Sequence, residues 1–333
     1  MKQVVVKSPG GLEHLTVVDT DVGSPQAGQV AVRWRATSLN YHDYLVAAGA
    51  IPVDDGRVPM SDGAGEVIAV GQGVTHWKVG DRVMSTFFPR WRLGPPTFDN
   101  LVAVAGETVD GFACEQSVVP ANTLTSIPTQ YSFAEAATLP CAALTAWRAI
   151  VEEGAIRPGD SVLIEGTGGM SIFGLQIAKM AGARVFATTS SDEKMERLKG
   201  MGADHVVNYK TDEKWGKTIA KLSGGGVDVV LDVGGGATIR QSTEAARIGG
   251  RIVLIGILGG RSGEIVFPKY FFKQLHMTGI AVGSHEMQAR MVAAIDADGF
   301  KPVIDRSFGL HEMAAAFEYQ ASGQQFGKIV VEY

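Results

Sequence analysis

The feature that most constrains the fold is a glycine-rich turn, Gly166 to Ser171, in the middle of the chain. It follows an apolar run typical of a buried strand, 161–165, and precedes an apolar helix predicted over 172–181. Further predicted strands and a charged helix alternate after it: strands 184–189, 205–208, 228–233, 251–256 and 275–282, and helix 192–201. This alternation predicts a doubly wound parallel sheet with helices on both faces.

The segments on either side of this region have a different pattern. Short apolar runs bounded by Gly, Pro, Asp and Ser predict an irregular β-rich domain over roughly the first 125 residues. Two helices are predicted at 133–137 and 142–150, and two more at 285–298 and 310–322, before a last strand at 328–332. The predicted fold class is α/β, in which a doubly wound domain is inserted into a β-rich one.

Composition excludes several functional classes. The chain has 333 residues, a net charge of −5 and two cysteines, which rules out a disulfide framework or a Cys-rich zinc site. The mild acidity gives no reason to expect a nucleic-acid partner. No apolar stretch approaches the ~18 residues of a membrane span, and the first residues lack the apolar core of a signal peptide. We therefore expect a cytoplasmic protein without a membrane partner.

The glycine turn has the residue types that a dinucleotide site needs. Gly166 can adopt unusual backbone angles, and Gly168 has no side chain to keep a pyrophosphate from the backbone. Gly169 and Met170 belong to the turn that opens the helix, and the N–H groups and dipole at the start of this helix attract phosphate. Ser171 stands where the usual fingerprint has a third glycine, and its hydroxyl is a candidate phosphate contact. The alternative is a tight turn that binds nothing.

The end of the second strand of this domain indicates which nucleotide binds. NAD-binding folds place an acidic residue there to bind the ribose 2′-hydroxyl, but this chain has Thr189, followed by Ser190 and Ser191. Lys194 adds a cation one helical turn later. This combination favours NADP(H). The alternative is that Ser191 only caps the helix and that Lys194 is solvated.

Several motifs, taken in order, resemble those of the medium-chain dehydrogenase/reductase superfamily, in its zinc-independent alcohol dehydrogenase-like and quinone oxidoreductase-like branch. They extend over essentially the whole chain: 38–43, 61–67, 79–83, 136–141, 166–171, 202–204 and 326–330. The resemblance implies a GroES-like catalytic domain at 1–125 and 283–333, and a Rossmann NADP-binding domain at 126–282. It also implies a homodimer through the last Rossmann strand.

The resemblance identifies the positions of a catalytic zinc site, which here are Asn40, Ser61 and Cys141. Only the thiol suits zinc, so no metal is expected. Without zinc, hydrogen-bond donors must stabilise developing charge. The catalytic candidates are Asn40, through its amide N–H, and Tyr41, through its phenol. The alternatives are that Asn40 ties a loop to the backbone and that Tyr41 is a core aromatic. Many relatives have a candidate proton-donating tyrosine where this chain has Ile51.

Five more residues are candidate cofactor contacts. Thr145 matches a position that often contacts the nicotinamide in the family, and Tyr209 is placed to flank the adenine. Gly234 and Gly256 follow strands, at the edge where ligands bind in such sheets. Lys328 is a candidate for a phosphate contact or for stabilising the cleft between the domains. The expected function is zinc-free, NADPH-dependent hydride transfer to a quinone or an activated C=C bond of a small molecule. The alternatives are a zinc-free alcohol dehydrogenase or ketone reductase and a catalytically silent NADPH-binding protein.

Overall fold

The chain forms two units in the structure, a computed structural model that describes residues 1–333. The terminal unit consists of Met1–Leu144 and Val282–Tyr333, and the central unit consists of Thr145–Ala281. The sequence analysis placed 126–144 with the Rossmann domain, whereas the structure groups these residues with the terminal unit.

Fifteen strands form three sheets. In chain order they are β1 Lys2–Val6, β2 Leu15–Asp19, β3 Gln29–Ser38, β4 Ala64–Val70, β5 Arg82–Ser85, β6 Gln116–Pro120, β7 Leu124–Ser126, β8 Ser161–Glu165, β9 Arg184–Thr189, β10 His205–Asn208, β11 Val227–Asp232, β12 Ala246–Leu254, β13 His276–Gly279, β14 Ile304–Gly309 and β15 Lys328–Glu332.

Eleven α-helices complete the fold. They are α1 Tyr41–Ala47, α2 Phe98–Leu101, α3 Phe133–Ala137, α4 Leu144–Trp147, α5 Gly169–Met180, α6 Asp192–Gly200, α7 Trp215–Ser223, α8 Ile239–Ala245, α9 Phe267–Lys273, α10 His285–Asp298 and α11 Met313–Ala321. Two π-helical turns, Leu139–Ala143 and Arg148–Glu153, flank α4, so the helix predicted over 142–150 is only partly α-helical. Such turns are rare in proteins, and those that occur are often near functional sites.

The terminal unit is built on a seven-stranded sheet in the order β14-β15-β3-β4-β5-β7, with β6 also paired to β3. Its core contains Trp34, whose indole N–H donates to Ser117 Oγ at 2.8 Å and whose ring meets Phe112 edge-on. Residues 126–144 belong to this unit because they bond to its other parts. The Tyr131 hydroxyl donates to the Phe300 carbonyl at 2.6 Å, and the Thr129 N–H donates to Asp296 at 2.7 Å.

The central unit has a six-stranded parallel sheet in the order β10-β9-β8-β11-β12-β13. Counted along the unit, this is strand order 3-2-1-4-5-6, the doubly wound order of dinucleotide-binding folds. All five β8 residues are buried, as expected for a central strand between two helical layers. The predicted parallel sheet is therefore present.

Sequence patterns placed most central strands within a residue or two but missed α7, α8 and α9, which are short helices. The predicted strand at 251–256 instead begins at Ala246, because β12 continues through an irregular stretch in which Gly249 has a positive φ of 70°. Register between β11 and β12 shifts at this stretch, a feature that strand periodicity does not reveal.

Candidate functional site

The carboxyl edge of the central sheet brings two loops together. β8 and β11 are neighbours in the sheet although the chain reaches β11 only after β9 and β10, so the strand order reverses between them. Ligands of open α/β sheets bind outside the carboxyl ends of the strands at such a reversal. The two loops that leave this edge are residues 166–168 and residues 233–236.

The turn after β8 has the geometry of an anion cradle. Gly166 has a φ of +75°, and its N–H donates to the Thr188 carbonyl at 2.9 Å. A Cβ built on Gly166 or on Gly168 meets nothing within 4 Å, so open space lies above both residues. Gly168 precedes α5 and has no side chain to cap it, so the first N–H groups of this twelve-residue helix are left available. The half-exposed Gly169 and Met170 begin that helix.

Ser171 contributes differently from the expectation of a phosphate contact through its hydroxyl. Its side chain is buried, and Oγ donates to the Glu165 carbonyl at 2.6 Å. The hydroxyl thereby ties the first turn of α5 to the end of β8, which is the close helix–strand packing that a third glycine permits in the usual fingerprint. The structure therefore does not support the predicted contact between the Ser171 hydroxyl and phosphate.

The end of β9 has hydroxyl groups and no carboxylate. Thr189 is buried, and its carbonyl accepts from the Tyr209 N–H at 2.9 Å, while Ser190 is exposed. Ser191 caps α6, since its Oγ accepts from the Lys194 N–H at 3.4 Å. The capping role is therefore present, and it leaves the Ser191 O–H as a donor. Tyr209 has an accessible ring.

Gly234 and Gly256 have a packing reason to be glycine. A Cβ on Gly234 would lie 2.3 Å from Thr238 Cγ2, and one on Gly256 would lie 2.6 Å from the Val233 carbonyl. The loops after β11 and β12 also bond directly, because the Gly259 N–H donates to the Gly234 carbonyl at 2.9 Å. Close packing, against a side chain for Gly234 and against backbone for Gly256, accounts for both residues. Their contact with a cofactor stays a prediction.

A polar network in the terminal unit surrounds Asn40. Its side-chain nitrogen donates to Asp62 Oδ2 at 2.8 Å and to Ser61 Oγ at 3.2 Å, and its side-chain oxygen accepts from Lys328 Nζ at 2.5 Å. Both amide hydrogens, which the sequence analysis assigned to charge stabilisation, are thus donated within the protein. The alternative role, tying a loop in place, is the one that the geometry supports.

Lys328 is held inside the terminal unit, which argues against its predicted contact with a cofactor phosphate. Its side chain is 3% exposed, and Nζ also donates to the Leu39 carbonyl at 2.7 Å and lies 3.7 Å from Asp62 Oδ2. A buried ammonium needs such partners, because an unpaired charge is costly in the interior. Burial raises the pKa of Asp62 to about 6, against the lowering effect of the Lys328 charge, and Asp62 Oδ1 has no hydrogen-bond partner.

Next to this network lies an ion pair that sequence reasoning missed. His42 Nε2 lies 2.7 Å from Glu107 Oε2, and His42 Nδ1 lies 3.7 Å from Asp43 Oδ1. Burial alone would lower the pKa of His42, but the two carboxylates outweigh it and raise the pKa to about 9. Asp43 also accepts the backbone N–H groups of Asn40 and Ser61, so it connects the ion pair to the network.

Tyr41 and Thr145 complete the placement of the predicted residues. Tyr41 begins α1 and is 43% exposed, stacked against Tyr44 with ring centroids 6.1 Å apart. It is therefore not a core aromatic. Thr145 lies buried on α4, in the central unit.

Comparisons with known proteins agree with this architecture. Residues 26–129 match the model of the alcohol dehydrogenase GroES-like domain, and residues 169–297 match that of the zinc-binding dehydrogenases. A zinc-type alcohol dehydrogenase-like protein of Schizosaccharomyces pombe is 38% identical, over 100% of this chain and 99% of that protein. The chain belongs to the medium-chain dehydrogenase/reductase superfamily.

Two solved structures are similar over this whole chain. An NAD-dependent alcohol dehydrogenase superposes with a TM-score of 0.92 at 34% identity and is covered completely. A mycobacterial protein in complex with NADPH superposes with a TM-score of 0.83 at 25% identity, also completely covered. The predicted α/β class, with a GroES-like and a Rossmann domain, is thereby confirmed. As a member of this superfamily, the protein is an NAD(P)H-dependent oxidoreductase with a nicotinamide cofactor.

The superfamily also contains zinc-binding members, but Asn40 and Ser61, at two of the positions that the resemblance assigns to zinc ligands, have side chains that do not suit zinc. Asn40 and Ser61 are hydrogen-bonded to each other, and the amide oxygen is held by a buried ammonium. An amide and a hydroxyl are weak zinc ligands, and Lys328 would repel a dication beside them. Only Cys141 has a side chain that suits zinc.

No helix of the chain combines the length and apolarity needed to cross a membrane.

We expect replacement of His42 by Gln to change how stability depends on pH. The pKa of His42 is about 9 in the folded protein and 6.5 without its partners, so the ion pair contributes fully below about pH 6.5. This contribution, about 1–3 kcal/mol, is lost as the pH rises through 9. Between about pH 6 and pH 10, urea unfolding should show a larger loss of stability for the wild type than for His42→Gln, and the difference measures the ion pair.

The exposed His311 provides the matched control, because His311→Gln should keep the wild-type profile within about 0.5 kcal/mol. Parallel profiles for the wild type and His42→Gln would contradict the ion pair.

Proposed function

We propose that this protein is a zinc-free, NADPH-dependent reductase that transfers hydride to a quinone or an activated C=C bond of a small molecule. The observation that carries the proposal is the closed network of Asn40, Ser61, Asp62 and Lys328. Two of its members, Asn40 and Ser61, stand at positions that the family resemblance assigns to zinc ligands, and internal hydrogen bonds hold them. A reaction that needs no Lewis acid on the substrate oxygen suits such a site better than carbonyl reduction does.

The central unit supplies the cofactor contacts in this proposal. The open space above Gly166 and Gly168 and the uncapped start of α5 fit a pyrophosphate. Donors for a 2′-phosphate are supplied by Ser190, Ser191 and Lys194. No carboxylate stands at the end of β9 to repel this phosphate. The similarity to a protein in complex with NADPH supports the same choice. Bound NADPH supplies the hydride.

The second requirement is a proton. Reduction of a C=C bond takes up a proton as well as a hydride, and Ile51 has none to give. The exposed Tyr41 carries a phenol O–H at the start of α1, next to the Asn40 network, and we assign it the donor role. Asn40 has a positioning role instead. Lys328 and Asp62 fix its side chain, and Asn40 is the N-cap residue of the helix that presents Tyr41. Quinone reduction can take its proton from solvent.

A second candidate is a zinc-free alcohol dehydrogenase or ketone reductase. It is favoured by the similarity to an NAD-dependent alcohol dehydrogenase, at 34% identity over the whole chain. This activity would use the same cofactor contacts. The two candidates differ in the acceptor, which a substrate screen separates.

The screen measures NADPH oxidation by purified protein with a quinone, an enone, an azo compound and an aldehyde, alongside metal content by mass spectrometry. We expect turnover with the quinone or the enone, no turnover with the aldehyde, and substoichiometric zinc. Turnover of the aldehyde alone would favour the second candidate. Stoichiometric zinc would overturn the zinc-free assignment, and no turnover with any acceptor would favour a silent NADPH-binding protein.

Tyr41→Phe is the matched variant for this screen, because it removes only the phenolic oxygen. We expect kcat with the enone to fall about 100-fold, the lower range for a lost general acid, while quinone reduction changes little. Tyr44→Phe, on the same helix, is the control and should leave both activities unchanged. Equal enone activity in wild type and Tyr41→Phe would remove Tyr41 from the mechanism.

The cofactor assignment predicts a selective effect of Lys194→Ala. Loss of a charge-assisted hydrogen bond to the 2′-phosphate should weaken NADPH binding about 10–100-fold and leave NADH binding unchanged. Isothermal titration of both nucleotides measures this. The control is Lys199→Ala, on the last turn of α6, where the side chain pairs with Glu196. Equal losses for NADPH and NADH would refute the 2′-phosphate role.

We also propose that the protein forms a homodimer through the central unit. β13 is an edge strand of the parallel sheet, with one side unpaired. The preceding helix α9 exposes three aromatic side chains, Phe267, Phe271 and Phe272, with 59%, 69% and 77% of their surfaces accessible. Exposed apolar side chains and an open strand edge are each typical of a protein interface.

Sedimentation equilibrium should therefore show a dimer at micromolar concentration. Phe271→Asp combined with Phe272→Asp should weaken dimerisation at least about tenfold, since each charge would be buried in the interface. Phe98→Asp, an equally exposed aromatic of the terminal unit, should remain dimeric. A monomeric wild type at ~10 µM would contradict the proposal.

A further inference from the structure

A buried cluster at the carboxyl edge of the central sheet is used by none of the roles above. It consists of Glu165 at the end of β8, Asp232 at the end of β11 and Ser242 on α8. All three side chains are buried, with exposures of 3%, 0% and 0%. Neither carboxyl group has a lysine, arginine or histidine partner among the ion pairs of the chain, so no cation compensates two buried acids.

The distances in this cluster require a proton. Ser242 Oγ lies 2.8 Å from Glu165 Oε1 and 2.6 Å from Asp232 Oδ2, and both are hydrogen-bonding distances. A hydroxyl has a single hydrogen, so it can donate to only one of two carboxylates. The other contact needs a hydrogen from the carboxyl side. One protonated carboxyl group therefore completes a chain in which COOH donates to Ser242 and Ser242 donates to a carboxylate.

The remaining contacts indicate which carboxyl group is protonated. Asp232 Oδ1 accepts from the Gly235 N–H and from Thr238 Oγ1, both at 2.8 Å, as suits a carboxylate. Glu165 Oε2 accepts the N–H groups of Val233 and Gly234 at the longer distances of 3.2 and 3.4 Å. Burial, together with the charge of Asp232, raises the pKa of Glu165 to about 8, so that at neutral pH Glu165 holds the proton.

This cluster fastens together the two loops that flank the strand reversal. Glu165 immediately precedes the glycine turn, and its carboxyl group holds the N–H groups of Val233 and Gly234 in the opposite loop. Loss of the proton would place two negative charges on either side of one hydroxyl in a buried site, where repulsion is strong. The two loops would then separate or rearrange.

We propose that the proton shared by Glu165, Ser242 and Asp232 fastens the loop after β11 to the glycine turn and thereby sets the upper pH limit of nucleotide binding. Glu165 is in this sense a positioning residue, not a catalytic one. The inference rests on the proposed function only in that the ligand bound at this edge is NADPH.

The test compares wild type with Glu165→Gln, whose amide N–H replaces the shared proton without titrating. Titrations with NADPH are made from pH 7 to pH 9, above the last phosphate pKa of about 6, so that the ligand charge stays constant. We expect the wild-type affinity to fall about 5–10-fold over this range, as the competent fraction falls. Glu165→Gln should match the wild type at pH 7 within about threefold and should stay constant to pH 9.

Asp228→Asn is the matched control, because Asp228 lies on β11 near the opposite end of the strand and bonds Ser161 and Arg247. It should keep the wild-type pH profile of binding. A second readout needs no nucleotide. The contribution of Glu165 to stability is complete below its unfolded pKa of 4.5 and is lost as pH rises through 8. The unfolding midpoint of the wild type should therefore fall relative to that of Glu165→Gln as the pH rises from 4.5 to about 8.

The outcomes separate the two proposals. Wild-type protein that binds NADPH at pH 7 while Glu165→Gln shows the same fall in affinity to pH 9 would overturn this inference alone. A wild-type affinity independent of pH would also overturn it. Failure of the wild type to bind NADPH at pH 7 would refute the proposed function and the inference with it.

Discussion

The parallel pairing of β8 with β11 fixes the position of the nucleotide site proposed for the central unit. Because these strands are adjacent in the sheet but distant in the chain, their crossovers leave in opposite directions and open a groove at the carboxyl edge. The glycine turn, the uncapped start of α5 and the buried cluster of Glu165, Asp232 and Ser242 all lie at this edge. The buried cluster lies on the protein side of the two loops, and the space over Gly166 and Gly168 is open.

The terminal unit depends on a different constraint, which is charge balance in its interior. Lys328 on β15 lies among the Leu39 carbonyl, Asn40 and Asp62, and this single ammonium compensates a fully buried acid. Removal of one partner of such a buried pair is strongly destabilising, because the other partner then carries an uncompensated charge in the interior. The network therefore fixes the start of α1, and with it the exposed Tyr41, more firmly than a seven-residue helix could by itself.

Sequence patterns predicted the parts of this fold that depend on local order. The strand β8, the glycine turn and α5 follow each other directly, so periodicity and glycine positions were sufficient. The residue pairs that define the His42 ion pair and the Asn40 network are far apart in the chain. His42 meets Glu107 65 residues away, and Lys328 meets Asn40 288 residues away. No spacing rule reveals such contacts, and this is why Lys328 was assigned to a phosphate and Asn40 to the reacting oxygen. A carboxylate directly before a glycine turn was the one local signal for Glu165.

The division of the terminal unit has a consequence for synthesis. Its central strand β3 pairs with β15, and the whole central unit lies between them in the chain. During translation, the parallel sheet is complete by Gly279, before β15 has left the ribosome. The central unit thus has all its strands while the β-rich unit still lacks one neighbour of β3 and the ammonium that compensates Asp62. The central unit is able to form early, and the terminal unit is completed last.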